Sequence, residues 1–301
     1  MYDIIIVGAG PAGLTAAIYA RRNEKKVLVI DKIGYGGQII NTFDIENYPV
    51  EKHISGFDLA TKIYNQAKDL GTEFKTEIVE KIEDSKSIKK VITNKGTYEG
   101  KAIIIATGAE NRKLNIENED KLIGKGISYC ATCDGNFFKD KVVAVLGGGN
   151  TAIDDALYLS SIAKKVYLIH RRDFFRGEIA VLNKLKEKDN VEFILKASVI
   201  KLNFDEKLTS IEIKDNNDRR TTLNISGLFI AIGRVPKTLN FSNIINLDNQ
   251  GYIVAEEDCH TNISGVFVAG DARTKNVRQI VTATSDGAVA ATEAIKYLNN
   301  N

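Results

Sequence analysis

The chain has 301 residues, of which 44% are hydrophobic and 27% are charged, and this length allows about two globular domains. With 41 basic and 39 acidic residues the net charge is +2, which gives no reason to expect nucleic acid or an anionic membrane as a partner. No apolar run reaches the ~20 residues of a membrane span, and no basic leader precedes a long apolar run, so we expect a cytoplasmic protein.

The first elements of the chain predict a dinucleotide-binding unit. An isoleucine-rich strand over residues 2–7 runs into a G-x-G-x-x-G turn at residues 8–13. A small apolar segment over 14–22 predicts a helix, and an apolar run over 26–31 predicts the next strand. A strand, glycine turn, helix and strand within about 30 residues is the setting that a dinucleotide fingerprint requires.

Two cysteines follow in the middle of the chain, at Cys130 and Cys133, and Asp134 comes directly after them. Three cysteines in all do not make a disulfide scaffold, so a C-x-x-C pair predicts redox or metal chemistry. A structural zinc site usually needs four ligands, and neither Cys259 nor the three histidines supply a second paired cluster. Redox chemistry is therefore favoured, with two unreacted buried thiols as the alternative.

The nucleotide-binding pattern then recurs. A strand is predicted over 141–146, a G-x-G-x-x-A turn over 147–152, a helix over 153–162 and a strand over 165–169. Each half also closes with a related apolar segment that ends in glycine, at 103–108 and at 228–233. The chain therefore holds two similar nucleotide-binding units.

The end of the chain suggests how these units are connected. A strand over 265–271 ends in Gly270 and Asp271, ahead of a final helix predicted near 287–298. We predict an α/β fold of two Rossmann-like domains. Residues 1–112 and 238–301 would form one domain, with a domain of residues 113–237 inserted through two extended junctions.

The residue at the end of the second strand of each unit distinguishes the two nucleotides. Twenty-one positions after Gly10 stands Asp31, and an acid there accepts hydrogen bonds from a ribose diol and repels a 2′-phosphate. The first site therefore fits an adenosine without an added phosphate, as in FAD or NAD. Twenty-one positions after Gly149 stands His170, followed by a basic run with Arg171, Arg172 and Arg176.

Arginine is suited to phosphate because its guanidinium group binds it in a bidentate geometry. The basic run therefore favours NADPH at the second site, and a solvated basic strand end is the alternative. For Asp134 we expect proton transfer at the dithiol, provided that burial raises the pKa of its carboxyl. The alternative for Asp134 is a turn or cap residue before Gly135.

Taken together, these motifs resemble the low-molecular-weight, bacterial-type thioredoxin reductases over nearly the full length. The motifs, in chain order, are G-A-G-P-A-G at Gly8, G-G-Q at Gly36, E-N-Y-P at Glu46, A-T-G-A at Ala106, C-A-T-C-D-G at Cys130, G-G-G-N-T-A at Gly147, H-R-R-D-F-F-R at His170, G-D-A-R at Gly270 and R-Q-I-V-T-A-T-S-D-G at Arg278. The resemblance implies two domains with three ββα layers each, FAD in the domain of residues 1–112 and 238–301, and NADPH in the domain of residues 113–237. It also implies a redox-active C-x-x-C, a homodimer, and thioredoxin as the substrate.

The resemblance also implies roles for individual residues. Cys130 and Cys133 would form the redox disulfide, with Cys133 facing the flavin, and Asp134 would be the general acid and base. The implied FAD contacts are Gly8, Gly10, Pro11, Ala12, Gly13, Asp31, Gly36, Gly37, Gln38, Asn47, Thr107, Gly108, Ala109, Gly270, Asp271, Arg278, Gln279 and Ile280. The implied NADPH contacts are Gly147, Gly149, Asn150, Thr151, His170, Arg171, Arg172, Arg176 and Gly233.

The expected reaction moves electrons from NADPH to FAD, to the Cys130–Cys133 disulfide, and then to thioredoxin. A ferredoxin-linked or oxygen-using flavin dithiol oxidoreductase of the same fold is the alternative. Because the dithiol and the NADPH site fall on the same inserted domain, yet both need the flavin, we predict rotation of residues 113–237. The hinges are expected near Arg112 and Lys237.

Overall fold

A computed structural model describes residues 1–42, 44–85 and 87–300. The chain divides into two compact units. Unit 1 combines Met1–Glu110 with Val235–Asn301, and unit 2 is Asn111–Arg234. The allocation of one nucleotide to each unit stays a prediction.

The elements in the described ranges are numbered in chain order. The strands are β1 (Tyr2–Val7), β2 (Val27–Asp31), β3 (Glu73–Thr76), β4 (Val79–Ser85), β5 (Ile88–Thr93), β6 (Gly96–Ile105), β7 (Ala109–Asn111), β8 (Ile127–Ser128), β9 (Val142–Gly147), β10 (Lys165–His170), β11 (Val191–Leu195), β12 (Ala197–Phe204), β13 (Leu208–Asp215), β14 (Arg220–Asn224), β15 (Gly227–Ala231), β16 (Arg234–Pro236) and β17 (Val266–Val268). The helices are α1 (Pro11–Arg22), α2 (Gly56–Asp69), α3 (Glu119–Leu122), α4 (Ala131–Asp134), α5 (Asn150–Ser160), α6 (Ile179–Lys186) and α7 (Ile280–Asn300). Both crossings between the units fall in or next to the short strands β7 and β16.

Unit 1 is built on a sheet with the strand order β3-β2-β1-β6-β5-β4, and β17 also pairs with β6. The pairs of β1 with β2, β1 with β6, and β6 with β17 are parallel, whereas β4, β5 and the start of β6 are antiparallel. Side chains of β1 enter two different cores, Ile4 and Ile6 on one face and Ile5 and Val7 on the other. This double burial explains the unbroken apolar sequence of the strand.

Helices α1 and α7 cover one face of this sheet, where Leu14 and Ala290 are completely buried. The two helices approach closely at Gly287, since a Cβ there would lie 2.2 Å from the carbonyl oxygen of Ala12. The opposite face is covered by the antiparallel strands through Ile82 and Val91. Unit 1 therefore has the three layers that were predicted.

Unit 2 repeats this arrangement. Its parallel sheet has the order β11-β10-β9-β15-β8, and a separate antiparallel sheet has the order β12-β13-β14. On β9, Val143 and Val145 pack into the core shared with α5 and α6, while Ala144 and Leu146 face the core shared with the antiparallel strands. The predicted α/β fold class is confirmed.

Four predicted strands end within one residue of the observed ones, whereas the strand predicted over 265–271 already ends at Val268. Three helices begin earlier than predicted. Helix α1 begins at Pro11, because a proline at the first helical position has its φ already set for the helix. Helix α5 begins at Asn150, directly after the glycine turn, and α7 begins at Ile280 instead of 287. The first turns of α7 were not predicted, because they are rich in β-branched residues, which have a low helix propensity. Within the described ranges, no helix is long and apolar enough to cross a membrane.

Candidate functional site

Several predicted site residues of unit 2 follow strands of its parallel sheet. Cys130 comes shortly after β8, Gly149 after β9 and Gly233 after β15, while His170 ends β10. The carboxyl ends of parallel strands meet at one edge of a sheet, which is where such folds bind their ligands. The dithiol and the second fingerprint therefore lie along the same edge, with β15 between β8 and β9.

Cys130 and Cys133 are joined by a disulfide, with their Cα atoms 5.3 Å apart. Cys130 is the N-cap of α4, and its carbonyl oxygen accepts hydrogen bonds from the N–H groups of Cys133 and Asp134 at 3.3 and 3.1 Å. Both cysteines are partly exposed. A Cβ at Gly135 would lie 2.7 Å from the ring of Tyr158 on α5, so this glycine lets the dithiol turn pack against that helix.

The carboxyl of Asp134 has the environment that proton transfer requires. Burial raises its pKa, and a hydrogen bond from the Ser128 hydroxyl to Oδ2, at 2.6 Å, partly opposes that rise. The same hydroxyl accepts a hydrogen bond from the N–H of Cys130 at 3.0 Å. Ser128 was not predicted from the sequence, because its position is set by the pairing of the two-residue strand β8 with β15.

The first glycine of each fingerprint has the same structural role in its own unit. A Cβ at Gly8 would lie 2.3 Å from the carbonyl oxygen of Ala106, at the end of β6, and a Cβ at Gly147 would lie 2.3 Å from that of Ala231, at the end of β15. Only glycine permits these close approaches. The second glycines, Gly10 and Gly149, instead have no atom within 4 Å of a Cβ position, so each leaves open space beside the turn.

The first fingerprint is joined to the predicted flavin loop. The Asp31 carboxylate accepts hydrogen bonds from the N–H groups of Ala9 and Ile33 at 2.9 and 3.0 Å. The N–H of Gly36 donates to the carbonyl oxygen of Ala9, and a Cβ at Gly37 would lie 3.2 Å from the Cα of Gly10. Asp31 thus holds the turn and the loop together. Gln38 follows in a short 3-10 segment, Gly37–Asn41, and is exposed.

Other predicted FAD contacts converge from distant parts of the sequence. The side-chain amide of Asn47 donates to Gln279 Oε1 at 3.3 Å, immediately before the start of α7 at Ile280. Arg278 lies over the ring of Tyr252 at 4.2 Å. Asp271 stands in the 3-10 segment Gly270–Ala272. The remaining predicted contacts lie at the start of α1 (Pro11, Ala12 and Gly13), after β6 (Thr107 and Gly108), and at the start of β7 (Ala109).

A buried carboxylate that was not predicted fixes this part of unit 1. Asp286 on α7 accepts hydrogen bonds from the N–H of Gly270, from Arg273 Nε and Nη2, and from Lys275 Nζ, all at 2.8–2.9 Å. Burial acts to raise the pKa of Asp286, but the hydrogen bonds from Arg273 and Lys275 hold it below its usual value. Arg273 and Asp286 both occur in motifs of the resemblance, but only the folded loop shows that they form a pair.

At the second site, His170 is buried and its ring fills the space above Gly148, where a Cβ would lie 2.2 Å from Cε1. Burial lowers the pKa of His170, and Arg176, Arg172 and Arg171 lower it further. The three arginines therefore lie close enough to His170 to disfavour its protonated form. All three are exposed, and no carboxylate of the described residues lies within 4.0 Å of their guanidinium groups. The cluster is suited to an anion.

The side chain of Asn150 is already engaged, because its Oδ1 accepts a hydrogen bond from the N–H of Glu178 at 2.8 Å. Thr151 is exposed beside it at the start of α5. The backbone N–H of Arg176 donates to the carbonyl oxygen of Gly148 at 2.8 Å. The basic segment therefore folds back onto the fingerprint, so the structure brings Asn150, His170 and Arg176 together.

Unpartnered polar atoms support both nucleotide assignments. Among the described residues, four buried side-chain polar atoms lack a hydrogen-bond partner. Three of them are Thr107 Oγ1, Arg278 Nε and His170 Nε2, all on residues predicted to contact a nucleotide, and the fourth is Thr72 Oγ1. Buried polar groups are normally satisfied, so these three fit residues that bind a polar ligand. The residues present therefore fit FAD in unit 1 and NADPH in unit 2.

Comparisons with known proteins extend the likeness to the whole chain. The family profile of pyridine nucleotide-disulphide oxidoreductases matches residues 2–287. The thioredoxin reductase of Listeria monocytogenes is 42% identical over 300 residues, covering 99% of this chain and 94% of that protein. The thioredoxin reductase of Bacillus subtilis is 38% identical, covering 99% and 95%. The crystal structure of thioredoxin reductase from Streptococcus pyogenes has a TM-score of 0.94 at 40% identity, covering 100% and 99%.

The open space beside Gly10 and Gly149 predicts that these two glycines are needed for nucleotide binding and not for folding. Gly10→Ala should fold normally but weaken FAD binding by about tenfold or more, because a methyl group forced into a close contact costs about 1–3 kcal/mol. Gly149→Ala should keep FAD and weaken NADPH binding by a similar factor. Thermal unfolding, FAD content and NADPH titration measure these effects.

Gly96→Ala is the matched control, because Gly96 also has open space around it and is not a predicted contact. Gly13→Ala should instead destabilise unit 1, since its Cβ would lie 1.9 Å from the carbonyl oxygen of Gly8. Wild-type FAD affinity in Gly10→Ala would contradict the assignment of this turn.

Proposed function

The chain belongs to the pyridine nucleotide-disulphide oxidoreductase family, and we propose that it is a thioredoxin reductase that uses NADPH and FAD. The observation that carries this function is the Cys130–Cys133 disulfide, which lies on the sheet edge that also holds the second fingerprint. Full-length likeness to thioredoxin reductases supports thioredoxin as the protein substrate. From the resemblance of the motifs, we also propose a homodimer.

The protein residues have distinct tasks in this reaction. When bound, NADPH supplies a hydride and FAD passes the two electrons on to a disulfide. Reduction breaks the bond between Cys130 and Cys133 and leaves one thiol and one thiolate. The thiolate attacks the disulfide of thioredoxin, forming a mixed disulfide that the second sulfur then resolves. Asp134, whose pKa burial raises, holds the proton that the leaving sulfur takes up.

The two nucleotides are held by different units in this proposal. Asp31, Asn47, Asp271, Arg278 and Gln279 would hold FAD. Arg171, Arg172 and Arg176 would hold the 2′-phosphate of NADPH, since they lie near His170, lower its pKa and have no acidic partner within the described part of the chain. A guanidinium group binds phosphate more strongly than it binds a hydroxyl, so this site selects NADPH over NADH.

Turnover in this proposal requires unit 2 to rotate. The dithiol and the predicted NADPH contacts are both on unit 2, whereas the predicted FAD contacts are on unit 1. Two different groups of unit 2 must therefore reach the flavin in turn, and the dithiol must also reach thioredoxin. Hinges at the strand junctions, near residues 110–112 and 234–237, would permit this motion.

NADPH oxidation by the purified protein tests the function. We expect slow NADPH oxidation by the protein alone. Adding oxidised thioredoxin should raise the rate of NADPH oxidation by at least about tenfold. Cys133→Ser should abolish the thioredoxin-dependent rate and keep FAD bound. Cys259→Ala is the control, because Cys259 is buried in unit 1 and takes no part in the exchange.

The alternative functions give different results in the same assay. An oxygen-using oxidase would oxidise NADPH steadily without thioredoxin, at a rate set by the oxygen concentration. A ferredoxin-linked enzyme would not oxidise NADPH at all. Either result would contradict the proposed function.

Removing the arginines should change the nucleotide preference. Arg171→Gln with Arg172→Gln should raise the KM for NADPH by about 100-fold, or about tenfold for each lost charge-assisted hydrogen bond. The KM for NADH should stay nearly constant, because NADH lacks the 2′-phosphate. Lys184→Gln with Lys186→Gln, which removes the same charge from exposed positions of α6, should leave both values unchanged. Equal losses for NADPH and NADH would mean that the phosphate site lies elsewhere.

Restricting the motion should stop turnover. A chemical crosslink that joins unit 1 to unit 2, mapped by mass spectrometry, should reduce thioredoxin-dependent activity in proportion to the crosslinked fraction. Crosslinks within one unit serve as the control. Full activity in protein whose two units are joined would contradict the rotation.

A further inference from the structure

The Ser128 hydroxyl lies at the centre of the dithiol turn. Ser128 ends β8 and is paired with Phe229 of β15, so the sheet fixes its backbone, and the residue is only 4% exposed. Its Oγ lies 2.6 Å from Asp134 Oδ2, 3.0 Å from the backbone nitrogen of Cys130 and 3.3 Å from the carbonyl oxygen of Cys130. One small side chain therefore touches the backbone of a redox cysteine and the predicted general acid.

These three neighbours allow two hydrogen-bond arrangements. A hydroxyl carries one hydrogen and two acceptor sites. When Asp134 is ionised, the hydroxyl donates to Asp134 Oδ2 and accepts from the N–H of Cys130. When Asp134 is protonated, its O–H donates to Ser128 Oγ, and the serine hydrogen turns to the carbonyl oxygen of Cys130. Neither arrangement requires a heavy atom to move.

We propose that Ser128 is a positioning residue of the redox centre, holding Asp134 beside the dithiol in both protonation states. The inference rests on the proposed function, since it gives Asp134 its role in proton transfer. A neighbour that only donates, such as a backbone N–H, would favour the carboxylate alone. A neighbour that only accepts would favour the acid alone. A hydroxyl supports both and therefore keeps the geometry constant through the cycle.

The proton balance of the reaction requires such a group. Reduction of one disulfide of thioredoxin to a dithiol takes up two electrons and two protons. NADPH supplies the two electrons and one proton as a hydride, and NADP⁺ leaves. The second proton enters from solvent and reaches the leaving sulfur through a titratable group. Asp134 accepts that proton from solvent and donates it to the sulfur. At each transfer the hydroxyl hydrogen of Ser128 turns between Asp134 Oδ2 and the carbonyl oxygen of Cys130.

The neighbouring charges act only weakly on Asp134. Burial and the hydrogen bond from Ser128 are the two influences on its pKa. Next to Ser128, the Tyr129 hydroxyl donates to Glu119 at 2.6 Å. On α5, which packs against α4, burial and Asp154 raise the pKa of Asp155 to about 7, and Arg234 acts to lower it. Lys141 in the following segment donates to the carbonyl oxygen of Phe137.

Ser128→Ala tests the proposal in the FAD-loaded enzyme. The loss of a hydrogen bond to a charged group should lower thioredoxin-dependent turnover by about tenfold. The pH at which the rate falls should also move upward. The hydrogen bond from Ser128 to the ionised carboxylate is stronger than the one that Ser128 accepts from the protonated acid, so removing the hydroxyl raises the pKa of Asp134. The infrared band of the protonated carboxyl, taken as the difference from Asp134→Asn, should show the same upward shift in its titration midpoint.

Two further variants separate positioning from stability. Ser128→Thr keeps the hydroxyl and should restore most of the rate and the wild-type midpoint. Ser160→Ala removes a buried serine hydroxyl of the same unit, which donates to the carbonyl oxygen of Leu157, and should change only thermal stability. An unchanged rate and midpoint in Ser128→Ala would overturn the proposal. Full activity in Asp134→Asn would instead refute the acid–base role on which it rests.

Discussion

The carboxyl ends of parallel strands meet at one edge of a sheet, and the chemistry of unit 2 depends on this constraint. Strand β8 delivers the dithiol, β9 the glycine turn, β15 Gly233 and β10 the basic segment, all to the same edge. The turn at Cys130 follows a strand of only two residues, so its position comes from the sheet and not from a long element of its own. The edge brings a disulfide and a nucleotide-binding turn into one unit, although about fourteen residues of chain lie between them.

The duplicated fold shows how the same backbone serves two ligands. In each unit the first fingerprint glycine packs against the backbone at the end of a neighbouring strand. Gly8 packs against Ala106 after β6, and Gly147 packs against Ala231 at the end of β15. The units then diverge at the end of the next strand. Asp31 ties two loops of unit 1 together through backbone N–H groups, whereas in unit 2 burial and three nearby arginines lower the pKa of His170. In the proposed function, the residues at this position distinguish the site for FAD from the site for NADPH.

Local patterns made much of this organisation predictable. The strand over 2–7, the two glycine turns and the offset to Asp31 and His170 depend on residues close in sequence, and each was placed correctly. The antiparallel layer of unit 2 was predicted only from the family resemblance. Ser128 was missed because only the folded dithiol turn shows that its hydroxyl reaches Asp134, six residues further along the chain. Asp286 was missed because its partners lie 11 to 16 residues away in the sequence. Asp286 gathers Gly270, Arg273 and Lys275 around one buried carboxylate, a set that shares no local pattern. The early start of α7 was missed because its β-branched residues are weak helix formers.

The central claim is that the Cys130–Cys133 disulfide receives the electrons of NADPH. It is tested most directly by adding one equivalent of NADPH to the FAD-loaded protein without oxygen, followed by alkylation and peptide mass spectrometry. The account predicts alkylation at Cys130 and Cys133 only after NADPH is added. Cys259 should react only after unfolding, because it is fully buried, and burial together with Asp286 raises the pKa of its thiol to about 12. A disulfide that stays intact while NADPH is oxidised would contradict the account.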